Sequence, residues 1–471
     1  ALGITSEQAH TCQKSMHNFR LLLMECGRAR RSFERVTRLL ADADGLSLGR
    51  QRLDSTHVLS NIAVLTRLGL FVETVTNFLK ELRKVDPDAF ESLDAGYAYR
   101  YLEREGYFSD AKREQARRRL PVVAEDVYAL VSTFETDVEV SKVPSFELLV
   151  RLFEEQCEVV NDKVDDGEGG GREGLRVQLV EAKTVGSDSL QSPHDPDATY
   201  GHKGKGYEVQ VSETCDDNNP YQLITGTSVN GANESDQNMV LPMLDQLEDS
   251  KMQPEDYQAD TGYGSGENIV ECAHRGVNLQ APVPDPDGSL RTEHFGAPVW
   301  EEMLSSESET VAEQEPSELG LEEFSFNSTF DRVLSCPSGN APTHQYVSGG
   351  VVYAVFSVTL CSMCPMSSRC PTRQMASGDR QFRRAPSTIA TECRQAEQQT
   401  PAFKESHRKR SGIESTNREL KGRHGLGDLR IRGKPRVELA VCLKSLALNV
   451  KRAVAYHVSH LSKPGISTCP V

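Results

Sequence analysis

Apolar residues recur every three or four positions through most of the first third of the chain, and shorter alternating runs follow. Residues 10 to 41 predict an amphipathic helical region, with Phe19, Leu22, Leu23 and Leu39 as apolar anchors and Arg28, Arg30, Arg31 and Arg35 on polar positions. Such a segment is either a packed helix or one that contacts DNA. The stretch GRQRLDSTHVLSN around Asp54 predicts a short strand, with Leu53 and Ser55 on one face and Asp54 and Thr56 on the other. From about 61 to 160 the pattern is helical. Val64, Leu68, Phe71, Val75, Phe78 and Leu82 mark one face, and Phe146, Leu149, Leu152 and Phe153 another, with Ser145 as N-cap.

NDKVDDGEGGGREG is a linker by composition. Beyond it, Tyr207, Val209 and Val211 alternate, and a second β run follows, predicting a strand pair. A helix opened by Ser235 or Asp236 carries Val240, Met243, Leu244 and Leu247. Next come a short strand closed by Asp260, a glycine-punctuated loop, a helix from Asn268 to His274 and a strand from Val277 to Val283. The Glu-rich stretch 301 to 323 reads as a mobile insertion, and strands interleaved with cysteines follow it. A helix from about Phe403 to Lys421, ended by Gly422 as C-cap, precedes a last helix with Leu439, Cys442, Leu446 and Val450 on its buried side.

A chain of 471 residues predicts two or three domains. No run of about 18 or more apolar residues suggests a membrane span, and the first residues, ALGITSEQAH, carry no secretory pattern. The formal charge is −16, a poor overall sign for a nucleic-acid partner, yet the charge is segregated. Between Arg369 and Arg436 there are 17 Lys and Arg against 7 Asp and Glu, whereas 301 to 323 has no Lys or Arg. Such a basic block is either a solvated charge run or the footprint of a polyanion site. Of the 12 cysteines, Cys26, Cys157 and Cys442 stand singly in apolar surroundings and predict free thiols in a reducing cytoplasm. Cys336, Cys361, Cys364 and Cys370 are bunched, and they read either as a zinc site, with His344 as a substitute ligand, or as four reduced thiols.

The candidate chemistry centres on KESHRKRSGIESTNRELKGRHG. Helical pitch sets His407, Arg410, Glu414 and Lys421 on roughly one face, a carboxylate among cations. That face is either a salt-bridged surface or a site for phosphoryl chemistry, where an anionic metal ligand needs cations beside it to hold phosphates. Asp54 and Asp260, each near a strand end, are either turn residues or further ligands.

The order of these pieces resembles a DDE transposase of bacterial insertion sequences. The resemblance runs from LDSTHV through SPHDPDATYGHKGKGYEVQV and ADTGYGSGENI to CPSG, CSMCPMSSRC, RKRSGIESTNRELK, GLGDLRIRG and ALNVKR. It implies an α/β fold with an RNase H-like mixed sheet flanked by helices, a large helical insertion and a cysteine-containing β-rich insertion. The corresponding division is an N-terminal helical region over 1–48, the first core strand over 49–60, the helical insertion over 61–165 and the core continued over 166–290. The acidic loop and Cys-rich insertion then span 291–400, and the core helix and tail 401–471. It further implies Asp54, Asp260 and Glu414 as catalytic ligands of two divalent cations, Mg2+ or Mn2+, with His407, Arg410 and Lys421 binding DNA phosphates. His407 stands where such transposases usually have Tyr. Asp195 and Asp197 fall in a matching segment, where a turn around Pro193 and Pro196 is the simple account. The implied partners are double-stranded DNA, as transposon ends and target, and a second copy in a homodimer, with no membrane, in the bacterial cytoplasm at the nucleoid. Such proteins commonly have further helical sequence upstream, and this chain begins inside or after it. The alternative is a catalytically inactive or co-opted DNA-binding descendant.

Overall fold

The computed structural model describes residues 12–25, 27–61, 65–103, 113–165, 171–284 and 319–461. The amphipathic N-terminal region is two helices, α1 (Gln13–Glu25) and α2 (Arg28–Asp44). The face that packs is Ala29, Phe33, Thr37 and Ala41, whereas the expected anchors Phe19, Leu22 and Leu39 are exposed. Phe33 is the large side chain that α2 buries, flanked at four-residue spacing by the small Ala29 and Thr37, whereas Leu39 lies off this face.

Strand β1 (Arg50–Val58) follows, then the helices α3 (Arg67–Val85), α4 (Pro87–Ser92), α5 (Ala95–Tyr101), α6 (Arg113–Phe134) and α7 (Pro144–Gln156). Leu68, Phe71, Val75, Phe78 and Leu82 of α3 bury against Leu130, Phe146, Leu149 and Leu152 in one core, as their periodicity predicts. Val64 lies outside the described residues. Ser145 is not the N-cap of α7: Val143 occupies that position and Pro144 opens the helix, where its missing N–H costs nothing. The segment expected to be a linker is mostly a hairpin, β2 (Cys157–Asp165) with β3 (Gly171–Leu179), whose register runs from Cys157 opposite Leu179 to Asp165 opposite Gly171. Backbone pairing needs no apolar period, so composition concealed it.

The principal sheet is built from β1, β4 (Thr199–Gly201), β5 (Gly204–Thr214), β6 (Ile224–Gly231), β7 (Asp256–Gln258) and β8 (Asn278–Gln280). Its order is β6-β5-β1-β7-β8, with β4 also pairing β5. β5 is antiparallel to β1 and to β6, and β1, β7 and β8 run parallel. Helices α8 (Val240–Asp249) and α9 (Gly266–His274) cover one face with Leu53, Tyr257 and Leu279. The other face is covered by α2 and by two later helices, α13 (Ile413–Gly422) and α14 (Lys434–Leu461).

After the Glu-rich stretch, of which 301–318 lies outside the described residues, come β9 (Ser325–Phe326), β10 (Val333–Ser335), β11 (His344–Ser348), β12 (Val351–Phe356), α10 (Val358–Cys361), β13 (Arg373–Gln374) and β14 (Arg380–Arg384). Four of these strands form a separate small sheet, β11-β12-β14-β13. The chain ends in α11 (Pro386–Glu397), α12 (Pro401–His407), α13 (Ile413–Gly422) and α14 (Lys434–Leu461). The helix expected from 403 to 421 is therefore interrupted by a tighter turn over Arg408–Gly412, and Arg423 rather than Gly422 is the C-cap. Along α14, Val437, Cys442 and Leu448 are buried, while Val450 is exposed. The neighbouring Asn449 is buried instead, because it bonds both the N–H and the C=O of Ile224 in β6.

Candidate active site

Three carboxylates far apart in sequence meet where β7 ends beside the middle of β1, so Asp54 lies mid-strand and not at the strand end expected for it. The parallel register ends with Arg52 opposite Gln258, and Asp54 and Asp260 each lie two residues further on, level with one another. Asp260 also caps the turn that follows it, accepting from the Gly262 N–H at 2.9 Å, so the turn role and a ligand role coexist in one side chain. Glu414 arrives on the first turn of α13, which crosses β1.

Arg410 stands among the three. Its Nη1 is 3.5 Å from Asp54 Oδ1 and 3.9 Å from Asp260 Oδ2, and its Nη2 is 3.7 Å from Glu414 Oε1. The exposures differ: the side chain of Asp54 is 14% exposed and that of Glu414 60%. Burial pushes the Asp54 carboxyl up to about 6, with Arg410 opposing and Asp260 adding to the rise. Asp260 is raised by the same cause and again opposed by Arg410.

The placement of Glu414 depends on a buried ionic knot. Glu213 on β5 has a fully buried side chain and accepts from Arg52 at 2.6 Å, Arg452 at 2.7 Å and Thr416 at 2.5 Å. Arg52 also donates to the Lys409 carbonyl at 2.8 Å, tying β1 to the turn before α13. A Cβ on Gly412 would meet the Arg52 guanidinium and force it to shift from its bonds to Glu213 and Lys409.

His407 does not share the open face with Arg410. Its Nε2 lies 2.9 Å from the Ala259 carbonyl, which can only accept, so this nitrogen carries the proton. The ring stacks on Phe403, and burial lowers its pKa. The interrupting turn rotates His407 away from the periodic position assumed for one continuous helix. Lys421 does line the groove that runs past the acids. This groove, of about 620 Å³, is bounded by Asp54, His57, Lys203, Glu414, Asn417 and Arg418 as well.

Sequence reasoning assigned no role to Lys203, Asn417 or Asp236. Lys203 projects from the β4-β5 hairpin, 3.4 Å from Glu208 Oε1. Gly206 (φ +140°) permits that hairpin, since a Cβ there would meet the Val58 carbonyl at 2.5 Å. Asn417 donates to Asp54 Oδ2 at 3.0 Å and leaves its own buried Oδ1 without a partner. Its position three residues after Glu414 was the available signal. Asp236 accepts from Ser55 at 3.1 Å and Gln210 at 2.8 Å beneath the site; its sequence context signals only a helix start.

Asp195 and Asp197 acquire a structural account. Asp195 accepts from Tyr207 at 2.5 Å and from the Gly433 N–H at 3.1 Å, and Asp197 accepts from the Lys434 N–H at 3.1 Å, so together they receive the start of α14.

The acids suit a hard cation by donor chemistry, and the unpartnered Asn417 oxygen adds a neutral donor beside them. As the side chains are oriented, no three His, Cys, Asp or Glu among the described residues are placed to hold a metal ion. Arg410 lies where positive charge is wanted.

Residues 335–454 match the family model described as Transposase DDE domain. The chain's likeness to the DDE transposases rests on that match, over the C-terminal part of the chain, as well as on its motifs. The matched segment contains Glu414, Arg410 and the four bunched cysteines, while Asp54 and Asp260 precede it. No curated protein and no solved structure matches the chain. Among the described residues, no helix is long and apolar enough to cross a membrane.

Proposed function

We propose that this protein is a transposase that cleaves and rejoins DNA at the ends of an insertion sequence, with Asp54, Asp260 and Glu414 as the ligands of two divalent cations. The observation that carries this reading is the convergence of the three acids on the single Arg410 guanidinium. The sheet order β6-β5-β1-β7-β8, with one antiparallel neighbour of β1 and parallel strands beyond, supports an RNase H-like core.

Bound Mg2+ or Mn2+ would activate a water or a 3′-hydroxyl and stabilise the leaving oxygen of a phosphodiester. The chain's own groups do the rest. Asn417 holds the Asp54 carboxylate in orientation through its Nδ2. Lys203 and Lys421 flank the groove and supply point charges for backbone phosphates, which fixes the register of the duplex. His407 ties α12 to the residue before Asp260 and acts as a positioning group rather than a DNA contact. The DNA partner is bound as paired ends by a homodimer in this reading.

The test is cleavage of a duplex carrying the element's own ends, with Mg2+ or Mn2+, by the parent and by Glu414→Gln. Cleavage in the parent and its loss in the variant, by more than about 100-fold with DNA binding retained, is the expected result. A parent that binds these ends without cutting them would leave the co-opted DNA-binding descendant as the better reading.

A further inference from the structure

We propose that Cys336, Cys361, Cys364 and Cys370 together hold one structural zinc ion. The transposase reading does not use these residues, and the inference stands independently of it.

The four come from separate places in the chain and line one cavity of about 30 Å³, room for an ion and not for an organic ligand. Two pairs of backbone hydrogen bonds shape their presentation. The Gly339 N–H donates to the Cys336 carbonyl at 2.8 Å and the Cys336 N–H to the Asn340 carbonyl at 2.9 Å, closing a tight turn at CPSG. The Cys364 N–H donates to the Cys361 carbonyl at 3.3 Å and the Ser367 N–H to the Cys364 carbonyl at 3.2 Å, giving a second tight turn at the end of α10. Each turn aims a thiol into the cavity from a backbone that needs no side chain to hold its shape.

Arg380 on β14 supports the remaining ligand. It donates to the carbonyls of Ser367 at 2.8 Å, Cys370 at 3.3 Å and Thr372 at 2.8 Å, so one side chain fixes the loop that carries Cys370. A half-buried guanidinium that bonds three carbonyls of one short loop is the kind of outer support that orients a ligand.

All four thiols are free, with no disulfide among them. Soft thiolate ligands select zinc over the hard cations suited to the carboxylates. Cys364 Sγ is turned to Ser338 Oγ at 3.0 Å and Cys370 Sγ to Thr372 Oγ1 at 3.1 Å, so ligation requires a rotation of these two side chains away from the hydroxyls. His344 is not part of the set: it lies on β11, stacks on Tyr346 and does not line the cavity.

The site braces more than its own loops. The core beneath the cysteines includes Phe356, Phe382 and Ile389, and the next residue of α11, Ala390, packs instead with the core of α8 and α9. Gly266, which opens α9 shortly after Asp260, packs directly against Ser387 of α11. A metal that fastens the two turns therefore steadies α11 and, through it, the segment that presents Asp260.

The experiment is metal analysis of the full chain purified under reducing conditions, followed by exchange into Co2+. The expected result is one zinc per chain, and on exchange the intense thiolate-to-cobalt absorption of a tetrahedral all-sulfur site. Cys361→Ser should lose at least about 10-fold in zinc affinity, measured against a competing chelator, and Arg380→Gln should weaken binding in the same direction with all four thiols intact. A failure of Cys361→Ser to fold leaves the parent's cobalt spectrum as the deciding measurement. Absence of zinc and of a cobalt-thiolate band in the folded parent, or zinc content unchanged in a folded Cys361→Ser, would overturn the proposal.

Discussion

Arg410 Nη1 lies 3.5 Å from Asp54 Oδ1, and the same guanidinium reaches Asp260 and Glu414. One cation thus offsets part of the mutual repulsion of three acids. Arg410→Gln should lower stability in chelator by roughly 1–3 kcal/mol, because Arg410 and Asp54 are largely buried and the variant leaves the acids without their cation. Magnesium should restore most of that loss, since a dication supplies the same compensation. Thermal melting with and without Mg2+ measures both effects; a variant as stable as the parent in chelator would remove the argument.

The Asp54 carboxyl titrates near 6 because burial outweighs the Arg410 charge. A carboxyl whose folded pKa lies above its unfolded value stabilises the fold when protonated. That contribution is fully present below about pH 4 and is lost as pH rises through about 6. In chelator, Asp54→Asn should therefore be more stable than the parent near pH 8, by about 1–3 kcal/mol, with the difference vanishing near pH 4. Equal denaturation midpoints at the higher pH would contradict it.

Lys203 and Lys421 flank the groove beside the acids, and each lowers the pKa of His57. If both serve as phosphate contacts, Lys203→Ala and Lys421→Ala should each weaken DNA binding across sequences and reduce the slope of log K against log salt by about 1. Binding titrations at several salt concentrations decide the matter. An unchanged slope would place the phosphates elsewhere.

Glu213 is fully buried between Arg52, Arg452 and Thr416. Its removal strands two cations, so Glu213→Ala should cost about 3–5 kcal/mol in chemical denaturation. Glu213→Gln, which retains an acceptor for Thr416, should cost less. A loss under about 1 kcal/mol in the alanine variant would mean that water or a rearranged partner replaces the carboxylate.

What the sequence by itself determined was the set of locally encoded features. The period of Leu68, Phe71, Val75, Phe78 and Leu82 identified a buried helix face, since a core-facing stripe must repeat with the helix. The strand bearing Asp54 and the turn after Asp260 were legible from β-branched runs and glycine punctuation, although Asp54 sits mid-strand, and the two acids are level in the parallel register. Tertiary structure alone decided the rest, because it depends on partners remote in the chain. Phe19 and Leu39 are apolar yet exposed, since none of the described residues covers them. The β2-β3 hairpin is held by backbone hydrogen bonds that composition does not encode. The turn over Arg408–Gly412 separates His407 from the groove and sets Arg410 among the acids, with Arg52, two residues before Asp54, donating to the Lys409 carbonyl. Helical spacing predicted the residue types of the site; only the long-range contacts of β1, β7 and α13 determined which of them share it.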